Sequence, residues 1–143
     1  MAESSKTRTG QCLCGSVKIT ANQASNSVGS CHCNSCRKWS SGPYMELDCG
    51  TDVTIDGKEH LSIYDSSTWA ERGFCAKCGS NLFYRLKQSG QHMVSVALFE
   101  DDEDLVFKQQ VFIEEKPAFY TFANKTEDLT GAEIFAKYAP PSK

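Results

Sequence analysis

Seven of the eight cysteines in this 143-residue chain lie in three short groups with the spacing of metal ligands. The groups are Cys12-Leu-Cys14, Cys31-His-Cys33-Asn-Ser-Cys36 and Cys75-Ala-Lys-Cys78. A structural zinc ion takes four protein ligands, whereas a zinc ion that performs chemistry keeps three and leaves one position open. Two pairs can complete a four-cysteine site, and the central triplet then forms a second site that is one ligand short. The sequence therefore predicts a protein with two zinc ions, one structural and one reactive.

The residues that follow the cysteines indicate which of them share a metal. A glycine directly follows both the Cys12/Cys14 pair and the Cys75/Cys78 pair, and a tight ligand turn favours glycine at that place. Arg37 follows the triplet instead. The two pairs are therefore predicted to form one site, apart from the triplet. A rival pairing stays open, in which Cys33 and Cys36 join the second pair as a zinc ribbon.

Other interpretations of the triplet also stay open. An iron–sulfur cluster takes four ligands, and none of the common cluster spacings is present. Cys49, the eighth cysteine, could supply a fourth ligand and close the site. His32 lies between two ligands in the sequence, where neighbouring side chains are expected to point to opposite sides. We therefore favour a role for His32 outside the ligand set, although a ligand role stays open.

Composition limits the classes of partner. The formal charge of −3 provides no basic surface for nucleic acid or an anionic membrane, and neither is expected as a partner. No apolar run approaches the length of a membrane span, and residues 1–9 lack the apolar stretch of a secretory signal. A cytoplasmic location is therefore expected. In that reducing compartment cysteines more often bind metal than form disulfides.

Short stretches of alternating apolar and polar residues predict the elements that must position these ligands. The predicted fold is mainly β, in a single domain at residues 10–139, with flexible ends at 1–9 and 140–143. The predicted strands lie at 16–20, 44–48, 52–55, 61–64, 81–86, 92–99 and 106–113. One helical turn is expected at 36–40, and a short helix is expected to open at Thr130. The acidic run 100–104 is expected to be a solvated loop.

Three motifs in the same order resemble those of the glutathione-dependent formaldehyde-activating enzymes, a family that includes the centromere protein V type. They are Gly10-Gln-Cys12-Leu-Cys14-Gly15-Ser-Val17, Cys31-His-Cys33-Asn-Ser-Cys36-Arg-Lys38 and Arg72-Gly-Phe74-Cys75-Ala-Lys-Cys78-Gly79. The likeness extends from about Gly10 to Phe122, with Pro117-Ala-Phe-Tyr120 in the position of the closing strand.

The resemblance implies a fold, ligands and an activity. The fold would be an all-β tent of small antiparallel sheets stabilised by zinc, with few short helices. Cys12, Cys14, Cys75 and Cys78 would hold the structural zinc ion, and Cys31, Cys33 and Cys36 the catalytic one. The activity would be that of a carbon–sulfur lyase, which joins glutathione to formaldehyde as S-hydroxymethylglutathione. The implied partners are a small-molecule thiol and a small aldehyde.

Two segments depart from the family pattern. Residues Val96-Ala-Leu-Phe-Glu100 lack the usual glycine, and Phe119-Tyr120 stands where a tryptophan is usual. Both departures are expected to alter the substrate pocket.

A mechanism and two rivals follow from these residues. An open zinc position would bind a substrate thiol and lower its pKa, so that the thiolate attacks the aldehyde. Four cationic residues beside the ligands are candidate anchors for the carboxylates of glutathione: Arg37, Lys38, Arg72 and Arg85. One rival is a binding module with two structural zinc ions, which a fourth ligand such as Cys49 would favour. The other is a methionine sulfoxide reductase, which needs a free nucleophile and has only Cys49 for it.

Overall fold

A computed structural model describes residues 5–138 of the chain and is mainly β, as predicted. The strands are β1 (Ser5–Gln11), β2 (Lys18–Ser25), β3 (Ser27–Cys31), β4 (Tyr44–Asp48), β5 (Val53–Asp56), β6 (Leu61–Tyr64), β7 (Ala70–Cys75), β8 (Asn81–Leu86), β9 (His92–Ser95), β10 (Val106–Val111) and β11 (Glu127–Leu129). The α-helices are α1 (Asn34–Ser40) and α2 (Gly131–Tyr138), and short 3₁₀ helices lie at Lys58–His60, Val96–Leu98 and Ile113–Glu115. Neither α-helix in this range has the length and apolar character that crossing a membrane requires.

The chain divides into two compact units. The first contains residues up to 28 together with 46–106, and the second contains 29–45 together with the residues from 107 onward. The assignment of 10–139 to a single domain stays a prediction. The flexible end predicted at 140–143, like residues 1–4, lies outside the described residues.

Antiparallel strands build the first unit. One sheet has the order β1-β2-β5, and a second series of paired strands runs β4-β9-β8-β7-β6. The core of the first unit consists of buried aliphatic and aromatic side chains, among them Val17, Ile19, Leu47, Leu82, Phe83, Val94 and Phe99.

Strand β1 corrects the prediction of a flexible tail through residue 9, which is wrong for residues 5–9. These residues pair with β2 although the segment is polar throughout. The side chain of Arg8 is fully buried, and its guanidinium group donates to both carboxylate oxygens of Asp104 at 2.7 and 3.1 Å. It also donates to the backbone oxygen of Asp101 at 2.8 Å. Part of the acidic run at 100–104 therefore neutralises a buried cation, a role that the sequence pattern did not indicate.

The second unit contains both α-helices and the strand order β11-β10-β3, in which β10 and β11 are parallel. The predicted helix after Thr130 is present as α2. A capping box begins it, since the Thr130 hydroxyl accepts from the Glu133 N–H and the Glu133 carboxylate accepts from the Thr130 N–H. Several of the buried side chains that the structure describes in this unit are polar, namely Ser30, His32 and Gln110.

Candidate functional site

Two β-hairpins of the first unit carry the two cysteine pairs at their tips. The Cys12/Cys14 pair lies between β1 and β2. Cys75 is the last residue of β7, and Cys78 lies in the turn between β7 and β8. Gly15 and Gly79 have φ angles of +80° and +78°, a region that glycine enters at no steric cost. Their N–H groups bond back to the carbonyl oxygens of the first cysteine of each pair, at 3.0 and 2.7 Å. The two hairpin tips are thus matched turns, as the glycine pattern predicted.

The hairpin tips bring four thiols together. The Sγ atoms of Cys12, Cys14, Cys75 and Cys78 all lie within 4.8 Å of one another. The distance is 3.7 Å between the sulfurs of Cys12 and Cys14, and 3.9 Å between those of Cys14 and Cys75. A tetrahedron with metal–sulfur bonds of about 2.3 Å has edges of about 3.8 Å. The four sulfurs therefore fit one tetrahedral metal ion.

Hydrogen bonds around this group favour thiolates. The side chain and backbone N–H of Ser80 lower the pKa of Cys78 to about 5. Ser16 in the same way lowers the pKa of Cys14, whereas burial raises the pKa of Cys75. The N–H of Val17 donates to the sulfur of Cys12 at 3.3 Å. A thiolate is the form that binds metal, so these donors prepare the site for a cation.

The three other grouped cysteines meet in the second unit. Cys31 ends β3, Cys33 caps the start of α1, and Cys36 lies in the first turn of that helix. Their sulfurs also lie within 4.8 Å of one another, and the group has three members among residues 5–138. The N–H of Cys36 donates to the sulfur of Cys33 at 3.3 Å, which orients one ligand through the helix cap. This group could hold a metal and, unlike the four-thiol group, would not complete a tetrahedron by itself.

The two cysteine groups of the structure differ from the zinc-ribbon pairing, which would combine Cys33 and Cys36 with Cys75 and Cys78. Cys33 and Cys36 belong to the group of the second unit, whereas Cys75 and Cys78 belong to that of the first. Cys49 belongs to neither group of the described residues. Its thiol is fully buried, and this burial raises its pKa to about 12. Cys49 is therefore a poor nucleophile at neutral pH.

His32 has both ring nitrogens engaged outside the ligand group. Its Nε2 lies 2.7 Å from Oε1 of Gln110, and its Nδ1 lies 2.8 Å from the hydroxyl of Tyr120. The side chain is fully buried, and burial lowers its pKa, so the ring is neutral at pH 7. The structure thus supports a role for His32 outside the ligand set.

The cationic residues that the sequence singled out differ in their surroundings. Arg37 donates from Nε to the backbone oxygen of His32 at 2.9 Å and so ties α1 to the loop that holds the ligands. Arg85 forms an ion pair with Glu71 at 3.2 Å. Arg72 is buried and lies 4.9 Å above the ring of Tyr84. Lys38 is exposed on α1.

A polar chain beside the triplet was not found by sequence reasoning. It runs from His32 through Gln110 to Thr126, whose hydroxyl lies 2.9 Å from Nε2 of Gln110, and ends at Asp128, 2.7 Å further on. Its members are up to 96 positions apart in the chain, and none of them has a ligand-like spacing. The only signal was His32 itself, an ionisable residue between two cysteines.

Comparison with known proteins places this architecture in a family. The sequence model of the family described as "Glutathione-dependent formaldehyde-activating enzyme" matches residues 7–115. The chain belongs to this family. The match includes all seven grouped cysteines and ends at the 3₁₀ helix Ile113–Glu115.

Two similar proteins extend the comparison. A protein of Schizosaccharomyces pombe named as an uncharacterized lyase is 35% identical over 126 residues, which are 87% of this chain and 92% of that protein. A crystal structure of a Rhodobacter sphaeroides protein, a structural genomics target, superposes with a TM-score of 0.55 at 26% identity. That likeness covers 65% of this chain and 88% of the other.

Proposed function

We propose that this protein is a zinc-dependent carbon–sulfur lyase that joins a thiol such as glutathione to formaldehyde or another small aldehyde. The observation that carries the proposal is the three-thiol group of Cys31, Cys33 and Cys36, which could hold a zinc ion and would leave its fourth ligand position to an external sulfur. Family membership and the lyase name of the yeast relative support the reaction class.

The proposed reaction is the addition of a thiol across a carbonyl group. The sulfur forms a bond to the carbonyl carbon, and the π electron pair of the C=O bond moves to the oxygen, which takes a proton. The thiol gives its own proton to solvent, so the product R–S–CH2–OH contains all atoms of the thiol and of formaldehyde. In the lyase direction the same C–S bond breaks. A zinc ion at the triplet would lower the pKa of the incoming thiol, because it stabilises the thiolate.

The residues around the triplet hold the ligands in place for this reaction. Cys33 and Cys36 are fixed relative to each other by the helix cap, and Arg37 ties the same helix to the backbone of His32. Cys31 and Cys36 are buried residues, whereas Cys33 is partly exposed to solvent. We propose that the external thiol enters on the side of Cys33. Fixed ligands lower the entropic cost of bringing the thiol and the aldehyde together.

The test separates the two metal groups by one substitution in each. Cys33→Ser is expected to lower the zinc content from two ions to one, to abolish binding of glutathione, and to abolish formation of S-hydroxymethylglutathione followed by ¹³C NMR of labelled formaldehyde. Cys49→Ser is the matched control, because Cys49 is a buried cysteine outside both groups. The proposal is wrong if Cys33→Ser loses its second zinc ion but binds glutathione with the affinity of the wild type.

The two rival functions lack a comparable observation. A fourth protein ligand at the triplet would favour a binding module, and the group has three members among the described residues. A methionine sulfoxide reductase needs a reactive cysteine outside the metal groups, and the raised pKa of Cys49 makes it unreactive.

A further inference from the structure

The polar chain between Asp128 and Tyr120 has a direction that its carboxylate end determines. An ionised carboxylate only accepts hydrogen bonds, so the Thr126 hydroxyl must give its single proton to Asp128. Thr126 can then only accept from Gln110, which turns the amide NH2 group of Gln110 toward Thr126 and its Oε1 toward His32. Because Oε1 is an acceptor, Nε2 of His32 must carry the ring proton.

The tautomer of His32 in turn fixes the role of Tyr120. A neutral imidazole with its proton on Nε2 has a bare lone pair on Nδ1, so the Tyr120 hydroxyl donates its only proton to that nitrogen at 2.8 Å. The phenol oxygen then has lone pairs but no proton for any other group. Tyr120 can therefore accept a hydrogen bond from a bound molecule, but it cannot donate one while the chain is intact.

Several contacts hold the phenol in this position. The ring of Tyr120 lies 5.5 Å from the ring of His32 and 6.3 Å from that of Phe122. Lys116 donates to the backbone oxygen of Tyr120, and its Nζ lies 5.3 Å from the centroid of the ring. His32 lies between Cys31 and Cys33 in the chain, so this contact places Tyr120 beside the triplet. Burial raises the pKa of the Tyr120 phenol, and Cys31 acts in the same direction. Tyr120 is half-buried, so part of it faces solvent.

We propose that Tyr120 is a specificity-determining residue of the triplet site, an acceptor that selects ligands with a hydroxyl group close to the sulfur. Gln110, Thr126 and Asp128 are positioning residues that act through His32. The inference rests on the proposed function, because the thiol–aldehyde adduct carries such a hydroxyl group and the free thiol does not. A carbonyl oxygen, which only accepts, would gain nothing from Tyr120.

The first experiment reads the tautomer of His32 directly. Long-range ¹H–¹⁵N NMR of the zinc-loaded protein at pH 7 is expected to show a proton on Nε2 and a bare Nδ1. Gln110→Leu is expected to abolish this signature, and Gln110→Glu to restore it, since its carboxylate again accepts from Nε2. Gln109→Leu is the matched control, because the preceding residue of β10 points to the other face. A proton on Nδ1 in the wild type would overturn the inference.

The second experiment measures selectivity with two thiols of nearly equal size, 2-mercaptoethanol and propane-1-thiol. Cobalt(II) replaces zinc in thiolate sites, and its visible spectrum reports an added sulfur ligand. Tyr120→Phe is expected to raise the Kd of 2-mercaptoethanol roughly 3- to 10-fold, the range for one neutral hydrogen bond. The Kd of propane-1-thiol is expected to stay unchanged.

The outcomes of this titration separate the inference from the proposed function. If both thiols bind and Tyr120→Phe leaves the ratio of their Kd values unchanged, the inference is wrong and the proposed function stands. If neither thiol alters the cobalt spectrum of the wild type, the triplet admits no external sulfur, and both are wrong.

Discussion

At the scale of single residues, backbone conformation shapes the turns that hold the four-thiol group. Gly79 has a φ of +78°, which lets its N–H turn back to the oxygen of Cys75 and closes the turn around the sulfurs. A Cβ atom at Gly79 would meet nothing within 4 Å. The requirement for glycine there is therefore conformational and does not come from packing.

Gly79→Ala is expected to destabilise the protein by about 1 to 2 kcal/mol, because alanine in the left-handed region brings its Cβ close to the following carbonyl oxygen. The free energy of unfolding, measured in urea at saturating zinc, tests this. Gly42→Ala is the matched control, since a Cβ there also meets nothing within 4 Å and its φ lies outside the left-handed region. Equal effects of the two substitutions would contradict the conformational explanation.

The sequence allowed the two cysteine groups to be predicted but not the residues that support them. Cysteine spacing and the following glycines separated the two groups because those signals are local. The partners of His32 were missed because Gln110 and Tyr120 are distant from it in the sequence and meet it only in the folded chain, where β3 lies beside β10. A polar residue that serves a tertiary hydrogen bond looks the same in sequence as one that faces water.

At the scale of elements, two adjacent glutamates serve the N-termini of the two helices. Glu115 accepts from the N–H of Asn34 at the start of α1, at 2.8 Å. Glu114 accepts from the N–H of Gly131 at the start of α2, at 3.0 and 3.1 Å. A carboxylate at this end of a helix satisfies a free N–H group and opposes the helix dipole. Only α1 carries members of the triplet.

The glutamates therefore offer a paired test of whether the cap of α1 positions the triplet. Glu115→Ala is expected to weaken zinc binding at the triplet roughly 5-fold, the equivalent of a lost cap of about 1 kcal/mol. Competition with a chromophoric chelator measures this affinity. Glu114→Ala removes the same group one residue away and is expected to leave the affinity unchanged. If both variants bind zinc like the wild type, the cap does not position the ligands.

The elements themselves were predicted unevenly, for a physical reason. The bounds of β4, β6 and β8 agree with the stretches predicted from alternation. The missed strands are β1, β3, β7 and β11, and they lack that pattern. Strand β1 has no apolar residue, and β7 contains a buried arginine, Arg72, and a glycine against which the ring of Phe83 packs. Pairing with neighbouring strands decides these segments, so local propensity does not reveal them.

At the scale of the whole molecule, buried histidines link stability to pH. Burial lowers the pKa of His92, whose ring packs at 5.0 Å against Phe83, and burial acts on His32 in the same direction. A histidine in the unfolded chain has a pKa of about 6.5, so the unfolded state binds more protons below that pH. The stability from the neutral rings is complete above about pH 6.5. This contribution to stability is lost as the pH falls from about 6.5 through the lower pKa that each histidine has in the folded protein.

His92→Gln is expected to flatten this dependence. Urea unfolding at pH 7.5 and pH 5.5, at saturating zinc, should show that the wild type loses more stability than the variant between the two pH values. The difference is at most about 1.4 kcal/mol per pH unit for one histidine. Both proteins protonate the same thiols over this range, so the difference between them isolates His92. Identical losses would show that His92 does not titrate on unfolding.

The ion pair at Arg8 has a practical consequence for anyone who shortens the chain. Residues 5–9 are all polar, yet a protein that starts at Gly10 would lack most of an outer strand. It would also lack Arg8, whose guanidinium group donates to both carboxylate oxygens of Asp104. Truncation screens for crystals or expression should therefore keep the chain from Ser5 onward.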